Sequence, residues 1–216
     1  LAIWQLSQLP VERVGVTGEL QQVSRAQLTE KVSDSLGAGF LLVDLQAIKQ
    51  SLESLPWVYR GVVKRRWPNS LEIEVSEQRP IARWGDEDYL NHAGELFRPQ
   101  HMIADTDLPG LSGPDGSTQQ LMAAYKLVQD GVAAIGRSVR QLEMDGRGSI
   151  RVELSGGLQR VLGREQIPEK ISRFRRLYES NLAQQAGRVT SVDLRYSHGA
   201  AVAWASETLA SNNQKS

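Results

Sequence analysis

The stretch Val189-Thr190-Ser191-Val192-Asp193-Leu194-Arg195-Tyr196-Ser197-His198-Gly199-Ala200-Ala201-Val202-Ala203-Trp204 decides how the end of this chain folds. Val192, Leu194 and Tyr196 share one side of an extended backbone and Ser191, Asp193 and Arg195 the other, which predicts a strand with one buried face. Ser197-His198-Gly199 then reverses the chain, Gly199 tolerating the positive φ a sharp turn needs, and residues 200–205 run on as a second extended piece. That last strand is expected at the edge of a sheet. Built of alanines with one Val and one Trp, and lacking Lys or Pro, it has little to deter another chain from pairing with its free N–H and C=O groups. It reads as a docking edge.

The 216 residues suffice for one or two domains, each with its own core. Lys and Arg number 25 against 25 Asp and Glu, so no whole-molecule field favours a nucleic acid. The absence of Cys excludes disulfides, Cys-ligated zinc and thiol catalysis. The chain opens on Leu1 and its first Met is Met102, which leads us to expect a native segment upstream. No apolar run in it approaches the roughly 20 residues of a membrane span.

Residues 1–10 mix Ile3, Trp4, Leu6 and Leu9 with glutamines and read as a lead-in. A first strand is predicted over 11–16, stopped by Thr17-Gly18. Ser24 and Gln27 form a capping-box pattern ahead of Leu28, Val32 and Leu36, and Gly37 and Gly39 close that helix. Asp44 caps a second helix with Leu45, Ile48, Leu52 and Leu55 in one stripe before Pro56. Residues 57–67 are extended, and Pro68-Asn69 turns the chain into the clean alternation of 71–75. Strand, helix, helix, strand, strand makes a complete small α+β unit, with both helices on one face of the sheet.

A second unit is expected from Gln78 onward, because Pro80 interrupts the strand and a new apolar pattern starts with Ile81, Ala82 and Trp84. Short strands around Asp86 and Asn91-His92-Ala93-Gly94 lead into a long connection over 100–116. Ser117 and Gln120 cap a helix carrying Leu121, Ala124, Tyr125 and Val128. Strands follow at 139–144, 150–154 and 158–162, separated by the hairpin signals Asp145-Gly146-Arg147-Gly148 and Ser155-Gly156-Gly157. Pro168 opens the longest helix, with Ile171, Phe174, Tyr178 and Leu182 on one face and Gly187 closing it. Residues 206–216 are polar and are expected to be disordered.

Chemistry is sparse. His92, His101 and His198 lack the short spacing of a metal site and read as surface or turn residues. Gly110-Leu111-Ser112-Gly113 resembles a nucleophile elbow, but Pro114 replaces the final glycine, so it reads as a turn. Ser155-Gly156-Gly157 joins strands and opens no helix, unlike a phosphate loop. Lys64, Arg65 and Arg66, and Lys170, Arg173, Arg175 and Arg176, read as solvated faces. Val63 with Arg65 is the exception: alternate strand positions share a side, taken as solvent-facing, that a partner could read. Trp57, Trp67 and Trp84 are assigned to cores, whereas Trp204 fits burial or partner anchoring equally.

Taken in order, several stretches resemble the extracytoplasmic part of the bacterial cell-division family FtsQ, called DivIB in some lineages. They are Leu55-Pro56-Trp57-Val58, Arg66-Trp67-Pro68, Arg79-Pro80-Ile81-Ala82-Arg83-Trp84, the 108–116 loop Leu108-Pro109-Gly110-Leu111-Ser112-Gly113-Pro114-Asp115-Gly116, and Val192-Asp193-Leu194-Arg195-Tyr196 with Gly199-Ala200-Ala201-Val202 and Trp204. The resemblance implies an α+β chain. A POTRA domain (β-α-α-β-β) would occupy 11–77, after a lead-in at 1–10 that follows a short cytoplasmic tail and one transmembrane helix. A β domain with a mostly antiparallel curved sheet and two helices would occupy 78–205, ahead of the 206–216 tail.

It also implies a scaffold with no catalytic activity and no cofactor. The scaffold would sit on the periplasmic side of the inner membrane at the septum, linking early and late division proteins and controlling septal peptidoglycan synthesis. FtsB, in complex with FtsL, would pair with the C-terminal strand at Arg195, Tyr196, His198, Gly199, Ala200, Ala203 and Trp204. FtsK would dock on the second POTRA strand at Val63 and Arg65, with the septal synthase FtsW/FtsI as a further partner. Two positions depart from the family pattern, which carries a small polar residue where His198 stands and a glycine where Ala203 stands. The alternative from another class is a POTRA-bearing periplasmic chaperone or transport module that guides client strands; a hydrolase would need an acid, a base and a nucleophile, and none is nominated.

Overall fold

The computed structural model describes residues 10–33, 35–101, 103, 107–185, 188–196 and 199–204. Among these, one compact unit is built from the chain up to Arg79 together with Phe97–Ile103, and the other from Pro80–Leu96 and the residues after Ile103. The lead-in residues 1–9 and the tail 205–216 lie outside the described residues, as do Gly187 and His198. Among the described residues, no helix is long and apolar enough to cross a membrane.

The first unit has the expected order. Strands β1 (Arg13–Thr17), β2 (Val58–Arg66) and β3 (Ser70–Glu77) form a sheet ordered β1-β3-β2, with β1 parallel and β2 antiparallel to β3. Ahead of α1 (Arg25–Ser33) the capping box closes in both directions: Gln27 N donates to Ser24 Oγ at 3.2 Å and Ser24 N to Gln27 Oε1 at 3.0 Å. Asp44 Oδ1 accepts from Gln46 N and Ala47 N at the start of α2 (Leu45–Glu53). Leu28, Val32, Ile48 and Leu52 from the helices meet Leu71, Ile73 and Val75 from the central strand. The Glu77 carboxylate fastens the approach to α1 by accepting from the backbone N–H groups of Gln21, Gln22 and Val23.

Two expectations for this unit are corrected. Val63 and Arg65 do share a side of β2, but it is the side turned towards the helices. Val63 packs on the core, and Arg65 reaches inward to donate from Nε to Phe40 O (3.1 Å) and from Nη2 to Leu41 O (3.3 Å) and Val43 O (2.6 Å). An arginine suits this position because its aliphatic stem tolerates burial while its planar fork satisfies a run of loop carbonyls. Arg60, Lys64 and Arg66 face solvent instead, with Arg66 Nε 2.8 Å from Glu72 Oε2 across the sheet. Trp67, assigned to the core, is 68% exposed and forms a T-shaped pair with Phe40, ring centroids 5.3 Å apart. Trp57 and Trp84 do pack against their cores.

The second unit is a nine-stranded sheet. Its strands are β4 (Pro80–Trp84), β5 (Asp88–Asn91), β6 (Leu96–Phe97), β7 (Gly110–Ser112), β8 (Val139–Met144), β9 (Ile150–Leu154), β10 (Leu158–Gly163), β11 (Val189–Asp193) and β12 (Ala201–Trp204), ordered β12-β11-β10-β9-β8-β7-β4-β5-β6. The hairpins β8–β9, β9–β10 and β11–β12 are antiparallel, whereas β4–β7, β7–β8 and β10–β11 are parallel. Parallel neighbours require a crossover. Helices α3 (Thr118–Ala133) and α4 (Ile167–Leu177) supply the crossovers for β7–β8 and β10–β11, and they pack so closely on each other that a Cβ at Gly131 would collide with Ile171.

Further corrections follow from this topology. Gly110-Leu111-Ser112 is a central strand and no turn: Leu111 is buried and the strand pairs with both β4 and β8. Ser117 does not cap α3, because its hydroxyl donates to Pro114 O at 2.6 Å. Lys170 lies off the solvated face, buried under α4, with Nζ donating to Leu162 O at 2.8 Å. Helix α4, expected to be the longest, is a shorter α-helix than α3 and continues after Leu177 as a π turn over Tyr178–Leu182.

Arg160 stands out within this core. It is 1% exposed, its guanidinium carbon lies 2.9 Å from the centroid of the Phe174 ring, and its side-chain nitrogens have no hydrogen-bond partner among the described residues. Burial pushes its affinity for the proton down to about 8, with the charge of Arg137 acting in the same direction and Tyr178 against it. A desolvated cation without a carboxylate costs more than one ring face returns. Arg160→Met is therefore expected to leave stability unchanged or raise it by about 1–2 kcal/mol in urea unfolding; a clear loss would show that the ring contact outweighs desolvation. Arg65→Ala is expected to cost about 2 kcal/mol in the same assay, since it strands loop carbonyls, whereas Lys64→Ala on the outer face should change stability by about 0.5 kcal/mol or less.

Candidate docking edge

Among the described residues, strand β12 pairs on one side only. Its register against β11 sets Asp193 opposite Ala201, Val192 opposite Val202, Ser191 opposite Ala203 and Val189 opposite Trp204, with an irregularity between Val189 and Ser191. Thr190 lies at that irregularity and donates its hydroxyl to Ala203 O at 3.1 Å. On the opposite side of β12 no strand lies among the described residues. Ala200 and Val202 pack towards the core, while Ala201, Ala203 and Trp204 are exposed. The result is a strand whose small side chains leave the backbone open to close approach.

The turn into β12 is braced by side chains. Leu194 is buried and donates its N–H to Val161 O at 2.9 Å, holding the chain against β10 beyond the end of β11. The Asp193 carboxylate accepts from Arg195 N (2.9 Å) and from the Arg195 guanidinium, with Nη2 2.6 Å from Oδ2. These Arg195 hydrogen bonds hold the Asp193 carboxyl below the usual carboxylate range, and the same contact raises Arg195. Arg195 is thus already paired, so an acid on a partner would share or displace Asp193. Its stem passes over Gly163, whose φ of +71° strains any L side chain. From α4, Arg173 Nη1 donates to Tyr196 O at 2.7 Å and to Gly199 O at 3.4 Å.

Tyr196 is 59% exposed at the turn and Trp204 is 45% exposed at the far end of β12. Of the expected site residues, Arg195, Tyr196, Gly199, Ala200, Ala203 and Trp204 come together here. Val63 and Arg65 belong to the other unit and face its core. Arg173 was missed by sequence reasoning, which placed it on a solvated face. The signal was its i+3 spacing from Lys170, which puts both cations on the side of α4 turned to the sheet end. Among the described residues, no cluster of His, Asp and Glu is arranged to hold a metal. The outer sheet face carries a shallow groove of about 270 Å³ lined by Gln141, Glu143, Arg151, Glu153 and Gln159, none of them a nucleophile with a base beside it.

Comparison with known proteins assigns both units. Residues 9–78 match the model of the POTRA domain, FtsQ-type, and residues 82–195 match that of cell division protein FtsQ/DivIB, C-terminal. The cell division protein FtsQ of Allochromatium vinosum is 36% identical over 205 residues, covering 95% of this chain and 82% of that protein. That of Xanthomonas campestris pv. campestris is 37% identical over 190 residues, covering 88% of this chain and 68% of that protein. That of Coxiella burnetii is 35% identical over 196 residues, covering 91% and 81%. A POTRA unit followed by a sheet that ends in an open strand, matched over nearly its whole length by these relatives, makes this chain a member of the FtsQ family of cell-division proteins.

Proposed function

We propose that this protein is a non-enzymatic scaffold of the division machinery that recruits FtsB, together with FtsL, by adding a strand of FtsB to the open side of β12. Through that contact it acts on septal peptidoglycan synthesis, from the periplasmic face of the inner membrane and anchored by a segment upstream of the residues described. The observation that carries the reading is a four-residue edge strand with exposed aromatics near both ends. Strand addition satisfies edge donors and acceptors with main-chain bonds, and large aromatics supply the anchoring area. FtsK is assigned to β2, which is also an edge of its sheet. Because Val63 and Arg65 point inward, they serve there by holding β2 in place, and the groups a partner meets are the strand's free backbone and the outward Arg60 and Lys64. FtsW/FtsI is the downstream partner of the same assembly.

Titration with peptides that together span FtsB tests this. Tyr196→Ala and Trp204→Ala should each weaken binding by about 2 kcal/mol or more, and Val202→Pro should weaken it by obstructing the ladder, while Leu127→Ser on α3 leaves it unchanged. Circular dichroism must show each variant folded. Unchanged binding by a folded Tyr196→Ala/Trp204→Ala double variant would move the docking site off this strand. Binding of many unrelated extended peptides at β2, with none at β12, would favour a client-handling POTRA module instead.

A further inference from the structure

We propose that Arg173 is a positioning residue for the docking strand, a latch on α4 that fixes how β12 is presented to an incoming chain. This rests on the reading that β12 is the docking strand, and adds to it the device that holds the strand ready.

Among the described residues, little restrains β12 beyond its ladder to β11 and the Thr190 hydroxyl on Ala203 O. It has four residues and a single neighbouring strand, and of the residues from Gly199 to Trp204 only Ala200 and Val202 pack against the core. A two-stranded ribbon at a sheet edge is marginal when so little apolar surface is buried beneath it. The turn is where restraint counts most, because its two arms must keep their spacing for the register of Asp193 against Ala201 to persist. Arg173 Nη1 meets both arms, at the carbonyl oxygens of Tyr196 before the reversal and Gly199 after it. These are charge-assisted bonds, stronger than those between neutral groups.

The support beneath the latch is firm. Three residues earlier on α4, Lys170 is buried and donates to Leu162 O, and one residue after Arg173, Phe174 is buried against the sheet. The helix therefore cannot slide without breaking a buried ammonium contact. The other side of the turn is held by the Asp193–Arg195 pair, which restrains only the arm leaving β11. The Arg173 guanidinium, by contrast, bonds carbonyls on that arm and on the one entering β12. A strand held ready in this way does not have to be ordered when the partner arrives, which improves affinity without any new contact to the partner.

The test uses Arg173→Met, which keeps the stem and removes every donor, and Arg173→Lys, which retains a charged donor. Two readouts are taken on the full chain: amide hydrogen exchange in Ala201–Trp204, and association and dissociation rates with the FtsB peptide. Arg173→Met should leave the thermal unfolding midpoint nearly unchanged, speed exchange in β12 by about tenfold or more, and weaken binding by about tenfold, with Arg173→Lys restoring part of both. Unchanged exchange in Arg173→Met overturns the latch, as does faster exchange with unaltered binding. Val202→Pro runs in parallel: if it binds normally, the docking reading itself fails, an outcome separate from the exchange result that judges the latch.

Discussion

Strand β11 lies parallel to β10, and a parallel neighbour can be reached only by crossing over the sheet. Helix α4 is that crossover, and the end of the sheet depends on it. By returning the chain in parallel, α4 leaves β12 to fold back antiparallel on the outside, with no strand on its second side among the described residues. An antiparallel hairpin from β10 straight into the final strand would have needed no helix, and then no side chain would stand over the turn. The topology that leaves this edge is thus the one that sets Lys170 and Phe174 against β10 and Arg173 over the turn into β12.

The contact between α4 and β10 is unusual in its chemistry. Where two elements normally meet through aliphatic side chains, here a buried ammonium bonds a backbone carbonyl and a buried guanidinium lies on a phenylalanine ring. Such groups are directional: the ammonium has to find Leu162 O, and the ring has to cover Arg160. They fix the rotation and axial position of the helix more closely than leucines would, at some cost in stability. A helix located in this way serves as a reference against which a short edge strand can be aligned.

Much of this was legible in the residues. The hairpins of β8, β9 and β10 announce themselves because Asp145 accepts from Arg147 N and Ser149 N and because Gly156 and Gly157 take positive φ. Both helix caps of the first unit could be read directly, since Ser24, Gln27 and Asp44 act on backbone groups within three residues. What was not legible involves contacts over long sequence distances. A three-residue strand such as Gly110-Leu111-Ser112 has too few positions to show a period, and only its two flanking strands make it one. Period-two reasoning put Val63 and Arg65 on one side, yet it cannot say which side is inner when the inward residue is an arginine that finds carbonyls 22 to 25 residues away. The composition of β12 was plain, whereas the hydrogen bonds on its turn join residues 23 and 26 apart in the chain.

The central claim is that a partner strand adds to β12, and the chain's lack of cysteine allows a direct test. Single cysteines at Ala201→Cys and Ala203→Cys, and at Lys64→Cys on β2 as a comparison, can be paired with a cysteine scanned along the FtsB segment under mild oxidation. Neighbouring strands bring paired Cα atoms to about 4.5–5.5 Å, within the reach of a disulfide. The account predicts rapid cross-links from both β12 positions, shifting by two residues along the FtsB segment as the cysteine moves from 201 to 203, and none from Lys64→Cys. Cross-links from Lys64→Cys alone, or from β12 without that regular shift, would contradict it.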